Sequence, residues 1–205
     1  MDHRAIDTSA NGEVDYAQLR GALAENRAEG RPAVLALNIG TTVRGAIDDI
    51  DTVVAILRET GYGREDYYYI HADAALFGMM LPFAGEGARG KLTFRKPIDS
   101  VSVSGHKFIG VPTPCGVVLC RSSRMGPMRL DVDYIGTVDD TISGSRSGLT
   151  SVYMWYVLSM KGVRGYTQDV RRVLSMARQL KILVRERGEN NGALDGWLGR
   201  CEVLR

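Results

Sequence analysis

At 205 residues the chain has about the size of one domain, and its 44% hydrophobic and 24% charged content is that of an ordinary globular protein. Its 26 basic and 24 acidic residues leave a formal charge of +2, which gives no argument for nucleic acid as a partner. No run approaches the roughly 18 apolar residues of a membrane span, and Met1-Asp2-His3-Arg4 leads into polar sequence, so no membrane partner and a cytoplasmic location are expected.

In chain order, Asp15 can cap a helix that carries Leu19, Ala22 and Leu23 on one face and ends near Gly30. Ala33 to Ile39 is a short apolar run without polar alternation, which predicts a fully buried strand. The turn Gly40-Thr41-Thr42 follows its carboxyl end. Asp48 or Asp49 then caps a helix whose Ile50, Val53, Val54 and Leu57 recur at helical spacing, and Gly61 ends it. Tyr67 to Ala72 and Ser100 to Val103 read as two further strands. Beyond a Pro112-Thr113-Pro114 turn, Gly116 to Cys120 reads as a strand returning antiparallel. Ser151 to Met160 and Thr167 to Arg187 read as helices, the second with Val170, Val173, Leu174, Ala177 and Val184 on a common face and Gly188 at its end. The basic residues between Arg164 and Arg187 alternate with these apolar positions, the pattern of a solvated helix face rather than a polyanion site.

Alternating helices and strands predict an α/β fold with a mostly parallel sheet. Ligands in such sheets bind beyond the carboxyl ends of the strands, so Thr41, Asp73 and Lys107 converge on one crevice. Cys115, Cys120 and Cys201 read as free thiols, and with His3, His71 and His106 they form no metal-ligand spacing, so no metal is expected.

The chemistry lies in His71-Ala72-Asp73-Ala74-Ala75 and Ser104-Gly105-His106-Lys107. A strand-end carboxylate paired with a strand-end lysine suits pyridoxal 5'-phosphate. That cofactor needs an amine to form a Schiff base with its aldehyde, and an anion to keep its pyridine nitrogen protonated so that the ring accepts electrons. Each half of this signal is weak alone, since a His-Lys pair after an apolar run is commonly an exposed loop. The order of the parts and the text around them carry the argument.

That text includes Asn11-Gly12-Glu13-Val14-Asp15-Tyr16, Asn38-Ile39-Gly40-Thr41-Thr42 with Gly45-Ala46-Ile47-Asp48, and the two segments above with Leu76 and Gly116. It continues with Ile142-Ser143-Gly144-Ser145-Arg146-Ser147-Gly148. From Asn11 to about Trp155 the chain resembles the pyridoxal phosphate-dependent group II amino acid decarboxylases, within them the bacterial histidine decarboxylase and plant-type serine decarboxylase branch. Aminotransferases and cysteine desulfurases share the Asp and His-Lys logic, but the Asn38 to Thr42 turn and the Ile142 to Gly148 loop argue against them.

The resemblance implies part of the large domain of a fold type I pyridoxal phosphate enzyme in residues 1–165. Residues 166–205 would be the linking helix and the incomplete start of the small C-terminal domain. It also implies roles. Lys107 is the amine of the internal aldimine, and Asp73 sits against the pyridinium nitrogen. Ala75 packs beneath the ring, Ser104 and His106 contact the phosphate, and Thr41 and Thr42 line the crevice. Two residues before Asp73 on the same side of the strand, His71 can orient that carboxylate, or it is a satisfied core histidine. Tyr134 is a candidate proton donor to the product carbanion, on a segment that with the Ser143 to Gly148 loop reaches an active site. The small Ala75, the Thr41 and Thr42 hydroxyls and Arg146 each have a bland alternative as well, in packing, turn bonding and surface exposure.

The implied reaction is α-decarboxylation of an L-amino acid, histidine (to histamine) first and serine (to ethanolamine) second, in a homodimer. The family subunit is longer and carries cofactor contacts in a first half not recognisable here, while Asn190 to Trp197 departs from the family's small-domain strand. The chain therefore reads as a fragment. The alternatives are an inactive truncated remnant, or one subunit of a split decarboxylase that needs a separately encoded N-terminal half.

Overall fold

Asp15 opens the first helix, α1 (Tyr16–Ala28), by accepting the N–H groups of Ala17 and Gln18 at 2.9 and 3.0 Å. Leu19 and Leu23 are its buried residues. The computed structural model describes residues 3–63, 67–126, 129–132, 136–139 and 146–188; the expectation for Asn190 to Trp197 lies outside them. After β1 (Ala33–Asn38) comes α2 (Ile50–Glu59). Its cap is Asp49, whose Oδ1 accepts the N–H of Asp51 at 2.9 Å, while Asp48 is buried and used elsewhere. The apolar spacing of α2 then has its effect: Ile50, Val53, Val54, Ile56 and Leu57 are all buried.

β2 (Tyr68–Asp73) follows, then two short 3-10 turns, the single-turn helix α3 (Glu86–Arg89) and β3 (Ser100–Ser104). A wide helical turn, Gly105–Ile109, leads to β4 (Gly116–Cys120), the short α4 (Ser122–Met125) and a two-stranded ribbon of β5 (Leu130–Val132) and β6 (Thr137–Asp139). The last described element is α5 (Gly148–Gly188).

The main sheet has the order β1-β2-β3-β4, the first three strands parallel and the fourth antiparallel. Its register brings Asn38, Asp73 and Ser102 level with one another across three strands. Side chains alternate across a sheet, so Leu35, Leu37, Ile70, Ala72 and Val101 share one face and His71, Asp73, Ser100 and Ser102 the other. The first face joins α1, α2, Phe77, Met80 and Leu81 in one core, completed by Val170 and Leu174 of α5. Each large apolar side chain buried there contributes about 1.5–3 kcal/mol.

The opposite end of the sheet is pinned by charge. Asp99 is buried and accepts the N–H of Ile70 and the Nε of Arg124, both at 2.7 Å. Arg121 donates to the carbonyls of Phe94, Lys96 and Ile98 at 2.7–2.8 Å. A guanidinium's fixed fork of donors suits this convergence of carbonyls.

One expectation changes and another takes a definite form. β1 is not buried throughout: Ala33 and Leu37 are buried, but Val34 is 61% exposed and Ala36 and Asn38 are exposed too. β1 is an edge strand of this sheet, and the helices packed on it cover one face; an all-apolar run does not reveal which face that is. The two helices expected between Ser151 and Arg187 stand on either side of a kink within α5, where Gly162 takes φ 54° and ψ −174°. Glycine tolerates that φ without a Cβ clash, and the helix resumes beyond it.

Candidate active site

Three chain reversals meet at the carboxyl ends of β1, β2 and β3. The first is closed by its own backbone. Gly40 and Thr41 both donate to the Ala46 carbonyl, at 2.9 and 3.0 Å, and the N–H of Ala46 donates to Thr41 Oγ1 at 3.0 Å. The Thr41 hydroxyl therefore serves the turn itself, while Thr42 is exposed. Gly40 has φ 96°, and a Cβ there would fall 2.4 Å from two carbons of the Phe77 ring. Asp48 holds this turn from behind: its carboxylate accepts Asn38 N–H at 2.7 Å and Val14 N–H at 2.8 Å. Burial is the largest influence on that carboxyl and raises its pKa above 3.8, against the two N–H bonds, which lower it.

The second reversal follows Asp73. Its Oδ1 accepts the N–H of Ala75 at 3.1 Å and lies 3.5 Å from Ser102 Oγ, and the side chain is exposed. His71 faces the same side but spends its Nδ1 on Ser100 Oγ at 2.7 Å, which favours the satisfied core histidine over a role in orienting Asp73. Half-buried Ala75 accepts the N–H of Ser104 through its carbonyl at 3.1 Å, which stitches the second reversal to the third.

The third reversal is the wide turn bearing Lys107. Gly105 donates to the Cys115 carbonyl at 3.0 Å, and a Cβ at Gly105 would fall 2.4 Å from both Cys115 Sγ and Met154 Cε. His106 Nδ1 lies 2.9 Å from the oxygen and 3.1 Å from the nitrogen of Cys115, so either tautomer ties the ring to that residue and leaves Nε2 available. Lys107 departs from helical backbone values, with φ −94° and ψ −117°, and is exposed. Among the described residues its ammonium has neither ion pair nor hydrogen bond, and half-buried Ser104 uses its hydroxyl in no bond.

The structure thus gathers Thr41, Asp73, Ala75, Ser104, His106 and Lys107 on one edge of the sheet, directs His71 to Ser100, and leaves Thr42 exposed beside Thr41. Tyr134 and Ser143 to Ser145 lie outside the described residues. Sequence reasoning missed Ser102 beside Asp73 and the clamp made by Asp48. The alternation Ser100-Val101-Ser102-Val103-Ser104 is the signal that points to Ser102, since it puts three hydroxyls on one strand face. Chemically, the arrangement offers an unpaired amine as nucleophile, a carboxylate with one oxygen unbonded among the described residues, and hydroxyl and imidazole donors for an anion. Among the described residues no three His, Cys, Asp or Glu side chains gather to hold a metal ion, and no helix is long and apolar enough to cross a membrane.

Comparison with known proteins agrees with this chemistry. The sequence profile described as the pyridoxal-dependent decarboxylase conserved domain matches residues 1–195. Serine decarboxylase 1 of Oryza sativa subsp. japonica is 44% identical over 188 residues, which are 92% of this chain and 38% of that protein. Histidine decarboxylase of Solanum lycopersicum is 45% identical over 188 residues, 92% of this chain and 44% of that protein. The chain therefore spans less than half the length of these curated relatives. The crystal structure of L-methionine decarboxylase from Streptomyces sp.590 matches with a TM-score of 0.75 at 24% identity, over 89% of this chain and 44% of that one. The fold is that of the fold type I pyridoxal phosphate enzymes, α/β with a mostly parallel sheet.

Proposed function

Because this chain belongs to the pyridoxal-dependent decarboxylase family, we propose that it provides the lysine-bearing part of an L-amino-acid carboxy-lyase that uses pyridoxal 5'-phosphate. Histidine is the first substrate, giving histamine, and serine the second, giving ethanolamine; relatives named for both share about the same identity with the chain. The observation that carries the reading is Asp73 at the carboxyl end of β2 with Lys107 just past the carboxyl end of the parallel neighbour β3.

The residues present fit the cofactor. Lys107 offers an ammonium without a described partner, Asp73 an exposed carboxylate, Ala75 a small side chain, and Ser104 and His106 donors for a phosphate. Lys107 would hold the aldehyde, Asp73 the pyridine nitrogen, Ala75 the underside of the ring, and Ser104 with His106 the phosphate. Thr41 and Thr42 would line the crevice beside it, with His71 supporting the strand through Ser100. When bound, the cofactor supplies an electron sink for the pair left behind as the α-carboxylate departs as carbon dioxide.

The chain's own groups do the rest. Asp73 keeps a proton on the ring nitrogen because a nearby negative charge raises that nitrogen's proton affinity. Lys107 would hold the cofactor between turnovers and present its amine beside the substrate's. Tyr134 donates the proton that replaces the carboxylate on the α-carbon. Orientation of the scissile carboxylate decides which bond breaks.

We take residues 1–165 as part of the cofactor-binding large domain and residues 166–205 as the linking helix and start of the small domain; the Gly162 kink in α5 supports a boundary there. The protein would work in the cytoplasm with its amino acid substrate, and with a second copy or a complementary N-terminal half. A partner is favoured by exposed Val117, Val118 and Leu119 on the edge strand β4 and by exposed Trp155 and Tyr156 on α5. The same surfaces favour the second reading, an inactive remnant, when no partner exists.

The test is to add pyridoxal phosphate to the purified chain, reduce with borohydride and locate the modified lysine by peptide mass analysis. Label confined to Lys107 and lost in Lys107→Ala is expected, followed by amine release from histidine or serine. Scattered label or none overturns the assignment.

A further inference from the structure

The turn that carries Lys107 is backed by one phenol. Tyr166, 2% exposed, donates its hydroxyl to the Ile109 carbonyl at 3.3 Å, two residues from Lys107. Within the turn, Gly110 donates to the Lys107 carbonyl and Val111 to that of Gly105, at 3.1 and 2.9 Å. Among the described residues the Ile109 carbonyl finds its hydrogen-bond donor only in Tyr166.

The ring is held as firmly as its hydroxyl. Phe83 and Phe108 lie 6.1 and 5.9 Å from it between centroids, and Lys161 Nζ sits 5.3 Å from its centroid while pairing with Asp169 at 2.9 Å. Tyr166 thus joins Ile109 and Val111 in a small apolar cluster apart from the main core, with Tyr153, Met154 and Val157 packed against it. Both halves of α5 meet the lysine turn here, the first through Met154 and Val157 and the second, beyond the Gly162 kink, through Tyr166. Wide helical turns are often found at functional sites.

We propose that Tyr166 is a positioning residue for Lys107, acting through the Ile109 carbonyl, so that the presentation of the amine depends on how α5 is seated. The inference rests on Lys107 being the cofactor-binding lysine. Burial pushes the Tyr166 hydroxyl above its ordinary pKa, so it remains a neutral donor.

The test compares Tyr166→Phe with Tyr62→Phe in the full chain. Tyr62 is a fully buried tyrosine whose hydroxyl bonds Arg31 and Asn26, away from the lysine turn. Three readouts are taken: borohydride-trapped pyridoxal phosphate at Lys107, trace acetylation of Lys107 relative to Lys96 and Lys181 without cofactor, and amide exchange of Gly110 and Val111. In Tyr166→Phe the Lys107 labelling rate falls about two- to tenfold, the range of one neutral hydrogen bond, and Gly110 and Val111 exchange faster while β2 and β3 do not. In Tyr62→Phe stability falls but Lys107 labelling and the two amides keep their values. Replacement of Tyr166 by 3-fluorotyrosine, with labelling read at a pH where the fluorophenol stays protonated, keeps the donor on the same ring and restores the rate, which also serves if Tyr166→Phe does not fold.

Unchanged labelling and exchange in Tyr166→Phe, or equal losses in both variants, overturn the inference. Trapped label away from Lys107 in the parent chain overturns the lysine assignment instead, and acetylation with amide exchange then decide on their own whether Tyr166 organises the turn.

Discussion

Replacing Gly40 with alanine puts two independent costs on one position. The backbone there has φ 96°, where a Cβ collides with its own chain at about 1–2 kcal/mol. The new Cβ would also lie 2.4 Å from Cγ and Cδ2 of Phe77, about an ångström inside ordinary contact. Phe77 is buried in the main core, so displacing its ring adds about 1–3 kcal/mol. The expected loss is roughly 2–5 kcal/mol, a large share of the ~5–15 kcal/mol that holds a domain together. Urea unfolding followed by far-UV circular dichroism measures it. Two companions separate the costs: Gly30→Ala has φ 71° and nothing within 4 Å, and Gly105→Ala has no positive φ but meets Cys115 Sγ and Met154 Cε at 2.4 Å. If Gly40→Ala is no more damaging than Gly30→Ala, the packing argument at Phe77 is wrong.

Asp48→Ala strands the N–H groups of Asn38 and Val14 and is expected to cost about 2–4 kcal/mol by the same unfolding assay. The pKa of Asp48 is raised in the folded chain, so its stabilising share is fully present below the ordinary value of 3.8 and is lost as pH climbs through the higher folded value. The stability advantage of the parent over Asp48→Asn therefore shrinks as pH rises from 3.8, and an advantage that grew would contradict the buried-carboxyl account. Asp73→Asn is expected to weaken pyridoxal phosphate retention in equilibrium dialysis by roughly 10–100-fold, the worth of a bond to a charged group; retention equal to the parent's would reduce Asp73 to a cap for Ala75. Arg121→Met removes the donors of three carbonyls at the far end of the sheet. It should cost about 2–3 kcal/mol while Lys107 labelling stays at the parent level, and a parallel loss of label would show that the two ends of the sheet are not independent.

Local rules carried much of the architecture from sequence. The Asp15 cap, the apolar spacing of α2 and the antiparallel return of β4 after Pro112-Thr113-Pro114 all depend on near neighbours, and all stand in the structure. The exposed face of Val34 and Ala36 escaped because burial of an edge strand depends on what packs against it, not on its own residues. The break between the two helices of α5 was legible near Gly165, and the folded chain takes it up at Gly162, whose dihedrals leave the helical range. At the candidate site, Asp73 and Lys107 were legible because each follows an apolar run and the two occur in order within flanking segments that resemble one family. The partners of Thr41 and His71 were not, since Ala46 comes to the Thr41 hydroxyl through a turn and Ser100 to His71 through a strand register that only the folded sheet defines.

Tyr166, Val170 and Leu174 reach back to elements that precede them by some of the longest separations in the chain. A nascent chain emerges from its amino end, and domains fold as units during synthesis. β1, β2, β3 and the Lys107 turn are therefore all outside the ribosome before the phenol that braces the turn and the two side chains that close the core around Phe77. Over that interval the turn has its own backbone bonds but lacks the Tyr166 hydroxyl and the apolar cluster behind it, so the order of translation makes α5 the last part to reach the lysine turn.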